Sequence, residues 1–283
     1  MPLHELTSSS QKTGATRLQI MGAPASLKTT ICATFDKPEV IIGLPGEKHT
    51  DILTPTSDLR IVIFDPPDYS NKNYDWVKLW NEVRLETQKA IDGSYGQPQT
   101  LVFDGAHKAF YAVYLAAKQK FAASGGDWDG RRGWPWVNDE FLAWFSQAYY
   151  SKVPWVIWTV WAAKEQDDQL AAANSEAAKK QSIWPDYMGK FQRTCMGETN
   201  IIYQYVEGGK PYWQIRQDDK VKGVGLRVSP DKAVSLPIRI PANWAQLKAI
   251  LQPSQGVTHV TNTAKVDQQA HEAILGQPAG ITG

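Results

Sequence analysis

Lys28, followed by Thr29 and Thr30 and preceded six residues earlier by Gly22, has a spacing that can hold a polyphosphate. The stretch runs Gly22-Ala23-Pro24-Ala25-Ser26-Leu27-Lys28-Thr29-Thr30. A glycine, four free positions, a second glycine, then lysine and a hydroxyl residue mark a loop whose backbone N–H groups cradle phosphates. The lysine of such a loop reaches the β- and γ-phosphates, and the hydroxyl sits on Mg2+. Here Leu27 stands where the second glycine belongs. A residue with a Cβ loses free energy in the backbone angles that glycine adopts easily. Two outcomes stay open: the loop binds with altered geometry, or the site no longer hydrolyses nucleotide.

A second signal lies downstream. Leu101-Val102-Phe103-Asp104 reads as an apolar strand ending in an acid, where a carboxylate can hold the water shell of a metal. Together these signals name Gly22 through Thr30 and Asp104 as residues for ATP, with Thr29 and Asp104 for Mg2+. Arg131 and Arg132 sit in Asp129-Gly130-Arg131-Arg132-Gly133-Trp134-Pro135-Trp136, with Trp128 close before them. Three readings compete for this cluster. It is a finger reaching the nucleotide of a neighbour in a homo-oligomer. It is a platform for single-stranded DNA that combines phosphate charge with stacking on Trp134 and Trp136. Or it is a subunit contact of the usual Trp/Arg kind. His107, just after the acid strand, reads as a polar residue at a helix start, and Asp65 and Asp68 around Pro66-Pro67 read as turn residues.

The elements that must position these groups follow from periodicity. Leu18 to Met21 form a short apolar strand before the loop, and a helix runs through 28–35, stopping before Asp36-Lys37-Pro38. Further strands fall at 39–46, 59–69 (ended by the two prolines), 99–105 and 153–163. Trp76, Leu79, Trp80, Val83 and Ala90 recur at helical spacing over 75–91, and helices are also expected over 106–123 and 137–150. The segment 124–136 reads as a Gly-rich loop, and 164–182 as polar and loose. Residues 200–218 alternate around Gly208-Gly209 and predict a hairpin. Strand and helix alternate up to residue 161, which predicts an α/β fold. Its sheet is mainly parallel with helices on both faces, extended by the C-terminal antiparallel hairpin. Residues 1–16 form a polar arm, 17–251 the domain, and 252–283 a tail rich in Gln, Thr, Ala and Gly.

The 283 residues suffice for one sizeable core. No apolar run is long enough for a membrane span, and the polar start predicts no signal peptide. Cys32 and Cys195 are the only cysteines and lack metal-site spacing, so a reducing cytoplasm is expected. A net charge of +1 excludes a globally basic nucleic-acid surface, so any such contact must be local. The 12 tryptophans predict core or interface packing, with a few free for stacking.

The order Arg17-Leu18-Gln19-Ile20-Met21-Gly22 through Thr30, then 40–47, 61–80, 100–105 and 153–165, resembles the RecA-like P-loop proteins of bacteriophages. That AAA-type group includes the Sak-type single-strand annealing ATPases. The likeness spans about residues 17–230, with 184–193 and the following hairpin similar to the group's closing segment. It implies a RecA-like P-loop NTPase using ATP and Mg2+ in phage DNA recombination or annealing, acting in the host cytoplasm. Lys28 and Thr29 would hold triphosphate and metal, Asp104 would position the metal, and Glu47 would orient the attacking water. Thr159 would sense the γ-phosphate. The chain departs from the group at Leu27, at residues 43–47 where an acidic pair is usual, and at 159–161 where a polar sensor is usual. The alternative is a catalytically degenerate protein that keeps the fold and joins other phage proteins in a particle.

Overall fold

The computed structural model describes residues 15–71, 73–126, 128–165, 182–186, 199–218, 221 and 224–252. All of these except residue 252 belong to one unit, residues 1–251. The strands are β1 (Thr16–Gly22), β2 (Glu39–Gly43), β3 (Leu59–Ile63), β4 (Thr100–Asp104), β5 (Trp155–Glu165), β6 (Ser182–Pro185), β7 (Asn200–Glu207), β8 (Lys210–Gln214) and β9 (Arg239–Pro241). The helices are α1 (Lys28–Cys32), α2 (Trp76–Ile91), α3 (Ala106–Ala123), α4 (Gly130–Tyr149), α5 (Pro230–Ser235) and α6 (Trp244–Leu251).

The strands build one sheet in the order β3-β2-β4-β5-β1-β7-β8-β9, with β6 pairing β5 off this path. Pairing is parallel from β3 through to β7. The β7–β8 hairpin, β9 and β6 add the antiparallel pairs. The expected α/β architecture with a mainly parallel sheet and a C-terminal hairpin is therefore present.

Alternation along the strands fills two cores. Met21, Val40, Ile42, Leu101, Phe103, Val156 and Trp158 face α2, α3 and α4, which bring Trp80, Phe110, Phe141, Trp144 and Phe145. Leu18, Ile20, Ile41, Val102, Ile157 and Ile202 face the other way, against Ile31 of α1 and Trp244 and Leu247 of α6. Successive side chains of a strand point to opposite faces, so near-continuous apolar runs are what a doubly covered sheet requires. Asp36 fixes α6 to the end of α1 by accepting from Trp244 Nε1 (3.1 Å) and Lys248 Nζ (2.6 Å). No helix among the described residues is long and apolar enough to cross a membrane.

Two local expectations change. The helix after the loop is only Lys28–Cys32, three residues shorter than expected. The segment 130–136 is not loop but the first turns of α4, started by Asp129, whose carboxylate accepts from the N–H of Arg131. Pro135 is the sixth residue of α4 and has no N–H to give the carbonyl of Arg131, so one bond of the early helix is missing. The segment 164–182, the arm and the tail lie almost wholly outside the described residues, as does Cys195.

At the start of β2 the Glu39 carboxyl is buried beside the Lys37 ammonium, which pairs with it. Burial pushes its pKa up to about 7, only partly opposed by Lys37. The folded chain thus holds this proton more tightly than the unfolded one. Stability from it is full below the unfolded value near 4.5 and is lost as pH rises toward 7. Replacing Glu39 with Gln should leave stability near that of the wild type at pH 4.5. The variant should gain relative to the wild type, by up to roughly 3 kcal/mol, as pH approaches about 8. Urea unfolding of both proteins across that range checks this.

Candidate functional site

Parallel strands end on one edge, and the register puts the chemistry there. Gly43 of β2 lies opposite Asp104 of β4, Phe103 opposite Trp158 of β5, and Gly22 of β1 opposite both Trp161 of β5 and Gln204 of β7. Ligands of open α/β sheets bind outside these carboxyl ends. A pocket of about 120 Å3 opens at this edge, lined by residues 24–30, Glu47, His49, Asp104, His107, Thr159 and Trp161 among others.

The loop itself holds two non-glycine residues in the left-handed region, Ala25 (φ 60°) and Leu27 (φ 64°). Each such residue costs about 1–2 kcal/mol, and such strain persists only where neighbours over-determine it. Here they do. Lys28 Nζ donates back to the carbonyls of Gly22 (2.9 Å) and Ala23 (2.8 Å) and to Ser26 Oγ (3.2 Å). Gln204 Nε2 donates to the carbonyl of Ser26, while its Oε1 accepts from Trp213 Nε1 (2.8 Å). Leu27 itself lines the pocket and is 42% exposed. Burial lowers the pKa of Lys28, opposed by the nearby carboxylates of Asp104 and Glu47.

Asp104 is 2% exposed and gathers three hydroxyls. Its Oδ2 accepts from Thr29 (2.8 Å) and Thr50 (2.8 Å), and its Oδ1 from Thr159 (2.5 Å). Thr159 Oγ1 in turn accepts from the N–H of Gly105 (2.8 Å). Thr159, expected as a γ-phosphate sensor, is thus committed to Asp104. Thr50 reaches the carboxylate only because residue 43 is glycine: a Cβ there would lie 2.6 Å from Thr50 Oγ1.

Glu47 lines the same pocket from the loop after β2, its side chain lying over Gly105. Burial raises its pKa, and Asp104 raises it further. His107 stacks on Trp161 with centroids 4.4 Å apart, and its Nδ1 accepts from the N–H of Trp161 (3.4 Å). Burial pushes the imidazole down to about 3, with Lys108 and Lys28 adding to the shift. His107 is therefore neutral at neutral pH, with its proton on Nε2, and that nitrogen is buried without a partner among the described residues.

The donor set suits Mg2+ held mainly through water and phosphate oxygens. One buried carboxylate and the Thr29 hydroxyl are present, and Mg2+ usually keeps waters and takes one or two carboxylates beside substrate phosphates. Among the described residues no group of three or more His, Cys, Asp or Glu forms a dedicated metal cage.

Arg131, Arg132, Trp134 and Trp136 do not join this pocket. Trp134 stacks on Tyr114 of α3 (centroids 5.2 Å apart, 14°) and meets Trp128 edge-on, and Lys120 Nζ lies 4.8 Å from the Trp136 ring. Trp128 crosses α4 at Gly133, where a Cβ would fall 2.3 Å from its ring. The two arginines are exposed. Periodicity alone does not find Thr50, Gln204 or the stacking of His107 on Trp161. Gly43, the last residue of β2, is where Thr50 makes its close approach. No family model matches the chain, and no curated protein is similar enough to it to match.

Leu27 is held at φ 64° while 42% exposed, so relief of backbone strain is set against the contacts of a part-exposed side chain. Leu27→Gly should stabilise the protein by about 0.5–1 kcal/mol, the relief of left-handed strain less the greater freedom of an unfolded glycine. Thermal melts of the two proteins test this, and an equal or lower melting temperature would contradict it.

Proposed function

We propose that this chain binds ATP with Mg2+ at residues 22–30 and hydrolyses it. The observation that carries the reading is the backbone at Leu27: it holds the left-handed angles that a glycine adopts at little cost, at the position where the loop pattern wants one. A loop strained in this way and held by Lys28 and Gln204 fits a binding role better than an ordinary strand-to-helix turn. Lys28 would leave its own carbonyls for the β- and γ-phosphates. Thr29 and Asp104 would hold the metal, which supplies charge neutralisation on those phosphates. Glu47, its pKa raised by burial, would take the proton of the attacking water. The sheet order, with β5 between the loop strand and the acid strand, supports a RecA-like fold. The resemblance in motif order extends the reading to phage recombination or single-strand annealing in the host cytoplasm.

A second reading is favoured by one observation: Lys28 and Asp104 are both already engaged by the protein's own groups. A site closed on itself can serve as a structural knot in a protein that joins a phage assembly. The two readings part on nucleotide binding. Mg·ATP at about a hundred times its Kd should add about 2.7 kcal/mol, a rise in melting temperature of several degrees. Lys28→Ala should abolish the rise, and Glu47→Gln should keep it while reducing turnover about a hundredfold or more. No shift at millimolar Mg·ATP in the wild type would favour the assembly reading.

A further inference from the structure

Beside the loop pocket lies a second and larger cavity of about 460 Å3, bordered by Lys48, Tyr69, Lys108, Tyr111, Trp161 and Asp186 among others. The two share His107 and Trp161 as a common wall. Its lining pairs open aromatic faces with positive charge. Tyr69 and Tyr111 are 54% and 41% exposed, although large aromatic rings usually seek cover. They are fixed rather than loose: Tyr69 packs on Trp76 (5.4 Å) and on Tyr111 (6.1 Å). The Tyr69 hydroxyl also lies against the backbone of Gly46, where a Cβ would fall 2.6 Å from it. Lys48 borders the cavity, and Lys108 Nζ lies 4.5 Å from the Trp161 ring. Asp186 is the sole carboxylate among the described lining residues. Its N–H donates to the carbonyl of Trp161 (2.8 Å), which ties the residue after β6 to β5, so the acid is placed by the sheet itself. In the shared wall, His107 Nε2 has a proton to give and no acceptor among the described residues, a cost that an incoming ligand atom can remove.

We infer that this cavity is a second ligand site, for one nucleotide unit: a base stacked on Tyr69 and Tyr111, with its phosphate on Lys48 and Lys108. The inference extends the single-strand part of the function proposed above and does not need the loop to bind ATP. Aromatic faces accept any base, and lysines accept any backbone phosphate. The volume falls in the range of sites that enclose small ligands. A cationic peptide side chain is disfavoured by the two lysines, against which stands one acid. Nucleic-acid contact thereby moves from the packed tryptophans of α4 to the edge of the sheet.

The nucleotide unit can come free or within a strand, and the test separates the two. Binding of a labelled dT15 oligonucleotide is followed by anisotropy at about 50 and about 200 mM salt, with dTMP titrated alone by calorimetry. Tyr69→Ala should weaken the bound species about tenfold or more, and Tyr69→Phe should not. Lys48→Ala should lower the salt dependence by about one phosphate contact. Loss of dT15 binding in Tyr69→Ala with no dTMP heat assigns the site to a strand. Saturable dTMP heat that is lost in the same variant assigns it to a free nucleotide. Tyr69→Ala and Lys48→Ala that melt like the wild type and bind both ligands unchanged would overturn the inference, as would binding lost only in Arg131→Ala and Arg132→Ala. The Mg·ATP melting shift is read separately on the wild type, so failure at the loop and failure at this cavity are distinguishable.

Discussion

One buried carboxylate ties together the four segments that make the site. Asp104 ends β4, and the hydroxyls it accepts come from α1, from the turn after β2 and from β5. A carboxylate taken out of water is costly unless its oxygens are satisfied. Each threonine that meets this demand also pins the element it belongs to. The loop, the turn carrying Glu47 and the end of β5 therefore cannot drift independently. The glycine at 43 belongs to the same constraint, because only a residue without a side chain lets Thr50 approach.

The apolar framework makes that arrangement sustainable. Strain at Ala25 and Leu27 is local, whereas the cores on both faces of the sheet are extensive. Trp144 illustrates how the many tryptophans are used. It meets Phe103 of β4 edge-on at 5.0 Å and donates from Nε1 to Thr87 of α2 (2.8 Å). It thus joins the acid strand to two helices through one side chain, with its polar atom satisfied. At the opposite end of the sheet the buried Arg17 guanidinium donates to the carbonyls of Tyr149, Ser151 and Val153, closing the turn between α4 and β5.

Much of this was legible in the sequence. Strands such as Leu101 to Asp104 and Trp155 to Val160 are apolar on both faces, and the helices between them carry a clear period, so the layered sheet follows. Lys28, Thr29, Asp104 and Glu47 do converge on one pocket, although they come from three widely separated segments. What was not legible depends on contacts across the sheet. Thr50 is one of many threonines until the register places it over Gly43. The exposed look of Arg131-Arg132-Gly133-Trp134 hides a helix start, because Asp129 caps it and Gly133 admits the Trp128 ring. Leu27 was the hardest: its residue type argues against a left-handed backbone, and the fold holds it at φ 64° all the same.

The ammonium of Lys28 serves meanwhile as a ligand for its own loop, satisfied by two carbonyls and a hydroxyl. On the proposed reading, an entering anion must offer more than that set before the side chain swings out. A chloride would bring a single charge, whereas the phosphates proposed for this loop would bring several. Self-coordination of this kind would then set a threshold that favours the multiply charged guest.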